Sequence, residues 1–210
     1  MNQVNVYNSD TIWNIEKLPE KLVVVGAGAI GCELAQAFSR LGSEVTIVTH
    51  GERLLSKEDP SVSTVLQERF QKEGINIVFG FEAKQIEAGG NVTEQGASHI
   101  LIGDCAGAEK HLHFNELLVA IGRQPNVTGF GLEELGIKTT TNGGIEVDAF
   151  LQTKLPNIFA VGDVTHQHIF THAAAHQAWY AAVNALFGRF KKFSVDSVSY
   201  THLTLPTSPK

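Results

Sequence analysis

The segment VVVGAGAIGCELA, Val23 to Ala35, constrains the fold of this chain more than any other stretch. A run of valines ends in Gly26, Gly28 and Gly31, spaced G-x-G-x-x-G, and the glycines open an alanine-rich run. A continuous β-branched run reads as a buried strand, and the alanine-rich run after the glycines reads as a helix. Each glycine then has a mechanical task. Gly26 permits the tight turn, Gly28 lets a pyrophosphate approach the backbone, and Gly31 lets the helix pack close to the sheet. The first helical turn, with Ala29 and Ile30, offers N–H groups and partial positive charge to phosphates. The motif is short, but a strand on one side, a helix on the other and a second strand ending about 20 residues on give it the context it needs.

The neighbouring pattern extends this unit. Residues 8–18 begin with capping-type residues and stop at Pro19, which predicts a short helix. KLVVV is the first buried strand. Ile30, Leu34, Ala37, Phe38 and Leu41 recur at helical spacing up to Gly42. EVTIV is a second strand. Asp59 and Pro60 fit an N-cap and first helical position, Val62, Val65, Leu66 and Phe70 continue that helix, and Gly74 ends it. INIVF is a third strand. This β-α-β-α-β order predicts an α/β fold, a Rossmann-type parallel sheet with helices on its faces. From Phe81 to Phe114 short alternating stretches predict an antiparallel meander. Leu117 to Gly122 reads as another buried strand, GGIEV as a short one, NIFAVGD as a last buried one, and THAAAHQAWYAAVNALF as a helix closed by Gly188.

Coenzyme choice turns on the end of the second strand, VTIVTHGER. A carboxylate there would bond the adenosine ribose of NAD and repel a 2′-phosphate. Thr49 and His50 stand in its place, with Arg53 nearby, which leans toward NADP.

Composition narrows the partners. The chain has 210 residues and a net charge of −6, which disfavours nucleic acid and anionic membranes. No apolar run is long enough to span a bilayer, and the first ten residues do not read as a signal peptide. Two cysteines, Cys32 and Cys105, make neither a disulfide framework nor a C-x-x-C pair. Small-molecule coenzymes and a cytoplasmic location are expected.

VVVGAGAIGCELA, LLVAIGRQPNVTGFGLEELGI and NIFAVGDV…FTHAAAHQA together resemble the pyridine nucleotide-disulfide oxidoreductases, with mercuric reductase-like and dihydrolipoamide dehydrogenase-like members nearest. The resemblance runs from about Val6 to Asp196. It implies an NAD(P) domain, residues 21–122, inserted into an FAD domain whose segments are residues 1–20 and 123–196. Gly122 ends the inserted domain. Gly162 and Asp163 match the turn whose aspartate bonds the flavin ribityl chain. Thr171, His172 and Ala173 match the helix start that faces the flavin pyrimidine edge, where partial positive charge favours reduced flavin. Glu33 matches a glutamate near the flavin ring, partnered by a lysine before this chain. Ala29 stands where some relatives carry an aromatic over the nicotinamide.

The resemblance also implies what this chain does not carry. The FAD-domain glycine fingerprint and the redox cysteine pair fall before Met1, and the dimerisation domain with its catalytic histidine falls after the match. Cys32 and Cys105 do not match that pair. The chain then reads as an internal piece of an FAD-dependent NAD(P)H oxidoreductase, inactive by itself, whose parent forms a homodimer and passes hydride to flavin and electrons to a disulfide or metal ion. Ser197 to Lys210 does not resemble the family. Its VSYTHLTLPT reads as a translated library-preparation adapter and is set aside from fold reasoning. Two other readings stay open: a nucleotide-binding or sensor module without turnover, and a metal binder. His166, His168, His172 and His176 cluster in sequence, and the last two are four apart on one helix face. Trp179 and Tyr180 read as helix packing.

Overall fold

The computed structural model describes residues 4–89, 99–167 and 169–194. The expectation for Ser197–Lys210 lies outside them, as does His168. In chain order the elements are β1 (Val6–Tyr7), a 3-10 turn at Ile12–Asn14, β2 (Lys21–Val25), α1 (Ala29–Leu41), β3 (Glu44–Val48), α2 (Pro60–Lys72), β4 (Asn76–Val78), β5 (Phe81–Ala88), β6 (His99–Cys105), β7 (Ala108–Phe114), β8 (Glu116–Val119), a 3-10 turn at Gly162–Thr165 and α3 (Thr171–Phe187). The chain divides into two units between Gly122 and Arg123.

In the first unit five strands form one parallel sheet in the order β1-β8-β2-β3-β4. Alternation along β2 separates its two faces. Leu22 and Val24 join Val45, Ile47 and Leu118 beneath Ala35 and Phe38 of α1 and Phe70 of α2. Val23 joins Val48, Val78 and Leu117 against Phe81, Leu101 and Phe114 of a second, antiparallel sheet, β5-β6-β7. The result is helices, parallel sheet and meander in three layers, the α/β architecture that the sequence predicts. Phe70 is 1% exposed, so truncating it to alanine should cost about 3–5 kcal/mol.

The helix ends follow local chemistry. Asp59 caps α2 by accepting the Ser61 N–H at 2.8 Å, with Pro60 as the first helical residue. α1 stops where Gly42 takes φ +113, a left-handed conformation that costs glycine little. The C-terminal ends of α1 and α2 are fastened together by Glu73. It accepts from Gln36 at 2.9 Å and pairs with Arg40 at 2.7 Å and Arg69 at 2.6 Å.

Three local expectations are corrected, those for residues 8–18, GGIEV and NIFAVGD. Residues 8–18 form only the Ile12–Asn14 turn: the Asn8 side chain caps it by accepting the Asp10 and Thr11 amides, but Ile15 takes extended backbone at ψ 125 and ends it before a second turn. The buried face of α1 is Gly31, Cys32, Ala35 and Phe38, whereas Leu41 is exposed. Small residues face the sheet there because they allow close approach. On α2, Val62 and Val65 are exposed, and Ser63 is buried instead, donating its hydroxyl to the Leu54 carbonyl at 2.5 Å. GGIEV and NIFAVGD form single bridges, Thr139–Ile145 and Gln152–Phe159, rather than strands. Their amides bond to carbonyls of the local chain: Ala160 donates to Leu151 and Ile145 to Val164. The sheet also gains β1, whose two residues carry too little pattern to be read.

The second unit has its own small core of Ile137, Ile145 and Ala160, with Val127, Leu132 and Val164 packed against it. Buried Asn184 of α3 organises the return of the chain. Its amide nitrogen donates to the Phe150 and Lys191 carbonyls, and its oxygen accepts the Phe190 and Lys191 amides.

Candidate coenzyme-binding sites

The three glycines of the first unit differ in what surrounds them. Gly26 has φ +115 and donates its N–H to the Val48 carbonyl at 2.8 Å. A Cβ there would collide with the Ala120 carbonyl oxygen and stand 2.6 Å from its carbon. A Cβ at Gly31 would collide with the Gly26 carbonyl oxygen. At Gly28 it would meet no atom within 4 Å. Two glycines are therefore required by the protein's own backbone. The third is not, and it borders open space at the mouth of α1.

The electrostatics there suit an anion. The first helical bond of α1 runs from the Cys32 N–H to the Gly28 carbonyl at 2.9 Å, so the amides of Ala29, Ile30 and Gly31 precede it. α1 has neither a side-chain cap nor an acid in its first turn, unlike α2 with its Asp59 cap. Uncapped amides and an uncompensated helix dipole are the elements of a phosphate cradle. Cys32 is 3% exposed and its Sγ lies 3.4 Å from the Ala27 carbonyl. Burial, and then the Glu33 carboxylate, push its thiol up to about 11, so it is a structural thiol and a poor nucleophile. Glu33 is exposed on α1.

The segment after β3 borders this loop. Thr49 bonds through its N–H to Val78 and through its carbonyl to the Phe81 amide. Its hydroxyl accepts the Gly51 N–H at 3.1 Å, which leaves the hydroxyl hydrogen available to a ligand oxygen. His50 is exposed. Arg53 turns back on its own loop, donating to the Ser56 carbonyl at 2.6 Å and the Glu58 carbonyl at 3.0 Å. Leu54 is fully buried, and Leu55 takes φ +48, costly for a branched residue by about 1–2 kcal/mol. The Leu55 N–H donates to the Ala27 carbonyl at 2.8 Å, between Gly26 and Gly28. Gly122, φ +149, follows β8 with open space around it.

In the second unit Gly162 and Asp163 form the turn that leads toward α3. Gly162 has φ +76, and a Cβ would stand 3.1 Å from the Ala174 Cβ, so glycine is needed for both conformation and space. Its N–H donates to Gln177 Oε1 at 2.5 Å. Asp163 pairs with Arg123 at 3.0 Å, and Arg123 also donates to the Ile169 carbonyl at 2.8 Å. Thr171 and His172 are exposed at the start of α3, Ala173 is buried, and this helix too lacks a side-chain cap and a first-turn acid. Gln177 is 0% exposed, yet its Nε2 has no acceptor. An orphaned buried donor beside Gly162 and an uncapped helix end suit an anionic cofactor edge, and the exposed Asp163 carboxylate suits hydroxyl donors. The residues present thus fit part of a flavin site.

Sequence reasoning assigned no role to Arg123 or Gln177. Gln177 carried a signal in the sequence as an amide on an alanine-rich helix. Among the described histidines, His172 stacks on Phe170, while His176 packs on Tyr180 and Phe193. Among the described residues no three His, Cys, Asp or Glu side chains come together to hold a metal ion. Trp179 is half-exposed against Tyr180, with Lys191 Nζ 4.8 Å from its ring centre.

The parallel sheet with its glycine loop, and the antiparallel sheet packed on it, define an α/β protein of Rossmann type. The chain belongs to the pyridine nucleotide-disulphide oxidoreductase family, whose model matches residues 1–179. It is 33% identical over 207 residues to mercuric reductase of Bacillus cereus, covering 99% of this chain and 32% of that protein. It is 34% identical over 200 residues to dihydrolipoyl dehydrogenase of Thermus scotoductus, covering 94% of this chain and 42% of that one. Among solved structures, the HOCl-induced flavoprotein disulfide reductase RclA from Escherichia coli superposes with a TM-score of 0.76 at 30% identity, covering 91% of this chain and 41% of that one. The chain thus spans well under half the length of these relatives. Members of the family use FAD and NAD(P)H. No described helix is long and apolar enough to cross a membrane.

Proposed function

We propose that this chain supplies the NAD(P)H site and part of the flavin site of an FAD-dependent NAD(P)H oxidoreductase. Residues 21–122 would be the coenzyme domain, residues 1–20 and 123–196 segments of the flavin domain, and residues 197–210 an appended tail. The observation that carries the reading is the contrast within the glycine loop: backbone fills the space at Gly26 and Gly31, while Gly28 opens on uncapped amides.

The division of labour follows from the residues. Gly28, Ala29, Ile30 and Gly31 hold the pyrophosphate through backbone amides and the helix dipole. Asp163 takes the ribityl chain, and the start of α3 at Thr171, His172 and Ala173 offsets negative charge on the flavin edge. Glu33 would stand near the flavin ring, and Gly122 would end the coenzyme domain. FAD, when bound, supplies the hydride acceptor and an electron path onward; the protein aligns the two rings and tunes their charge. Relatives named mercuric reductase and dihydrolipoyl dehydrogenase differ in acceptor, so the acceptor class here is a disulfide or a metal ion. The parent works as a cytoplasmic homodimer and binds neither nucleic acid nor membrane.

NADPH is the preferred coenzyme. No carboxylate stands at position 49 to repel a 2′-phosphate, and the free hydroxyl hydrogen of Thr49 can donate to one, with exposed His50 adjacent. One charge-assisted bond of about 1.5–3 kcal/mol gives at least about tenfold preference. Nicotinamide fluorescence titration of the chain with NADPH and NADH tests this. Saturable binding of both, NADPH tighter, is expected; binding of neither contradicts the reading.

A further inference from the structure

We infer that Arg53 is a positioning residue for the coenzyme loop and not a ligand of the 2′-phosphate. The inference rests on the coenzyme-site reading above and reassigns one of its residues. The guanidinium lies across its own loop, with one terminal nitrogen 2.6 Å from the Ser56 carbonyl and the other 3.0 Å from the Glu58 carbonyl. A planar fork meeting two carbonyls is a geometry that lysine, with one ammonium, does not reproduce. Between those anchors and the glycine loop lies Leu55, held at φ +48, whose carbonyl accepts the Glu58 N–H at 2.8 Å. Its N–H reaches the Ala27 carbonyl inside the glycine loop at 2.8 Å. Arg53 therefore closes a chain of contacts from the loop after β3 to the backbone that presents Gly28. Leu54, fully buried with its carbonyl bonded by Ser63, fixes the same loop from beneath. An arginine acting through loop shape supports both coenzymes alike, whereas a phosphate ligand would support NADPH alone.

The test uses the full chain with Arg53→Met and Arg53→Lys, titrated with NADPH and NADH, alongside amide exchange at Leu55 followed by NMR. Both variants should weaken both coenzymes by a similar factor, about five- to tenfold, leaving their ratio unchanged. Leu55 exchange should accelerate by about tenfold or more in both. Loss confined to NADPH in Arg53→Met, with Arg53→Lys retaining native affinity, overturns the inference. If the native chain binds neither coenzyme, the coenzyme reading fails on its own, and Leu55 exchange still decides: unchanged exchange in both variants overturns the clamp.

Discussion

Gly31 lies directly against the carbonyl oxygen of Gly26, so that a methyl group at position 31 would occupy space the oxygen already fills. This contact brings the first turn of α1 down onto the end of β2. It leaves Gly28 as the glycine of the loop whose missing side chain the fold itself does not require.

Gly31→Ala should therefore destabilise the chain by about 1–3 kcal/mol through overpacking against backbone, which cannot move aside as a side chain can. Urea unfolding measures it. A midpoint unchanged from the native chain would show that the contact relaxes freely.

Gly28→Ala should behave in the opposite way. Open space accepts the methyl group, and the loss of an N-cap glycine costs within about 1 kcal/mol. Coenzyme affinity should nonetheless fall by about tenfold or more, since the methyl group intrudes where the pyrophosphate approaches. Native affinity in this variant would place the phosphates elsewhere.

Glu73 links stability to acid. Its bond from Arg40, with Gln36 and Arg69 adding, holds the carboxyl at about 2, below its ordinary value of 4.5. A depressed folded-state value means the stabilisation is present above about 4.5 and is lost as pH falls from there toward about 2. Thermal melts across that window should show Glu73→Gln with a shallower acid dependence than the native chain. Parallel curves would mean that these ion pairs are screened out by solvent.

Thr49→Glu should shift the coenzyme ratio toward NADH, because the carboxylate can accept both ribose hydroxyls and repels a 2′-phosphate. Competition titration gives the ratio. No shift would mean that position 49 does not face the ribose.

Much of the fold was legible because its signals are local. Valine runs, the Asp59–Pro60 start of α2 and the Gly42 end of α1 each carry their structure in a few residues. The glycine loop was legible for the same reason. What escaped depended on partners distant in sequence. The buried stripe of α1 is set by which face meets the sheet, and that face carries Gly31, Ala35 and Phe38 but not Leu41. NIFAVGD has the composition of a strand, but its amides find loop carbonyls, and composition does not report partners. Arg53 reads as a free cation near a phosphate site. Its capture by Ser56 and Glu58 depends on a loop turn made through Leu55 at positive φ, and leucine gives no hint of that conformation.

Amide NMR of the isotopically labelled chain during titration with NADPH reads the proposed coenzyme site residue by residue. The largest shifts should fall on Gly28, Ala29, Ile30 and Gly31, with smaller ones at Thr49 and His50, and Gly28→Ala should suppress them. Saturable binding whose shifts leave the Gly28–Gly31 amides unmoved would contradict that site.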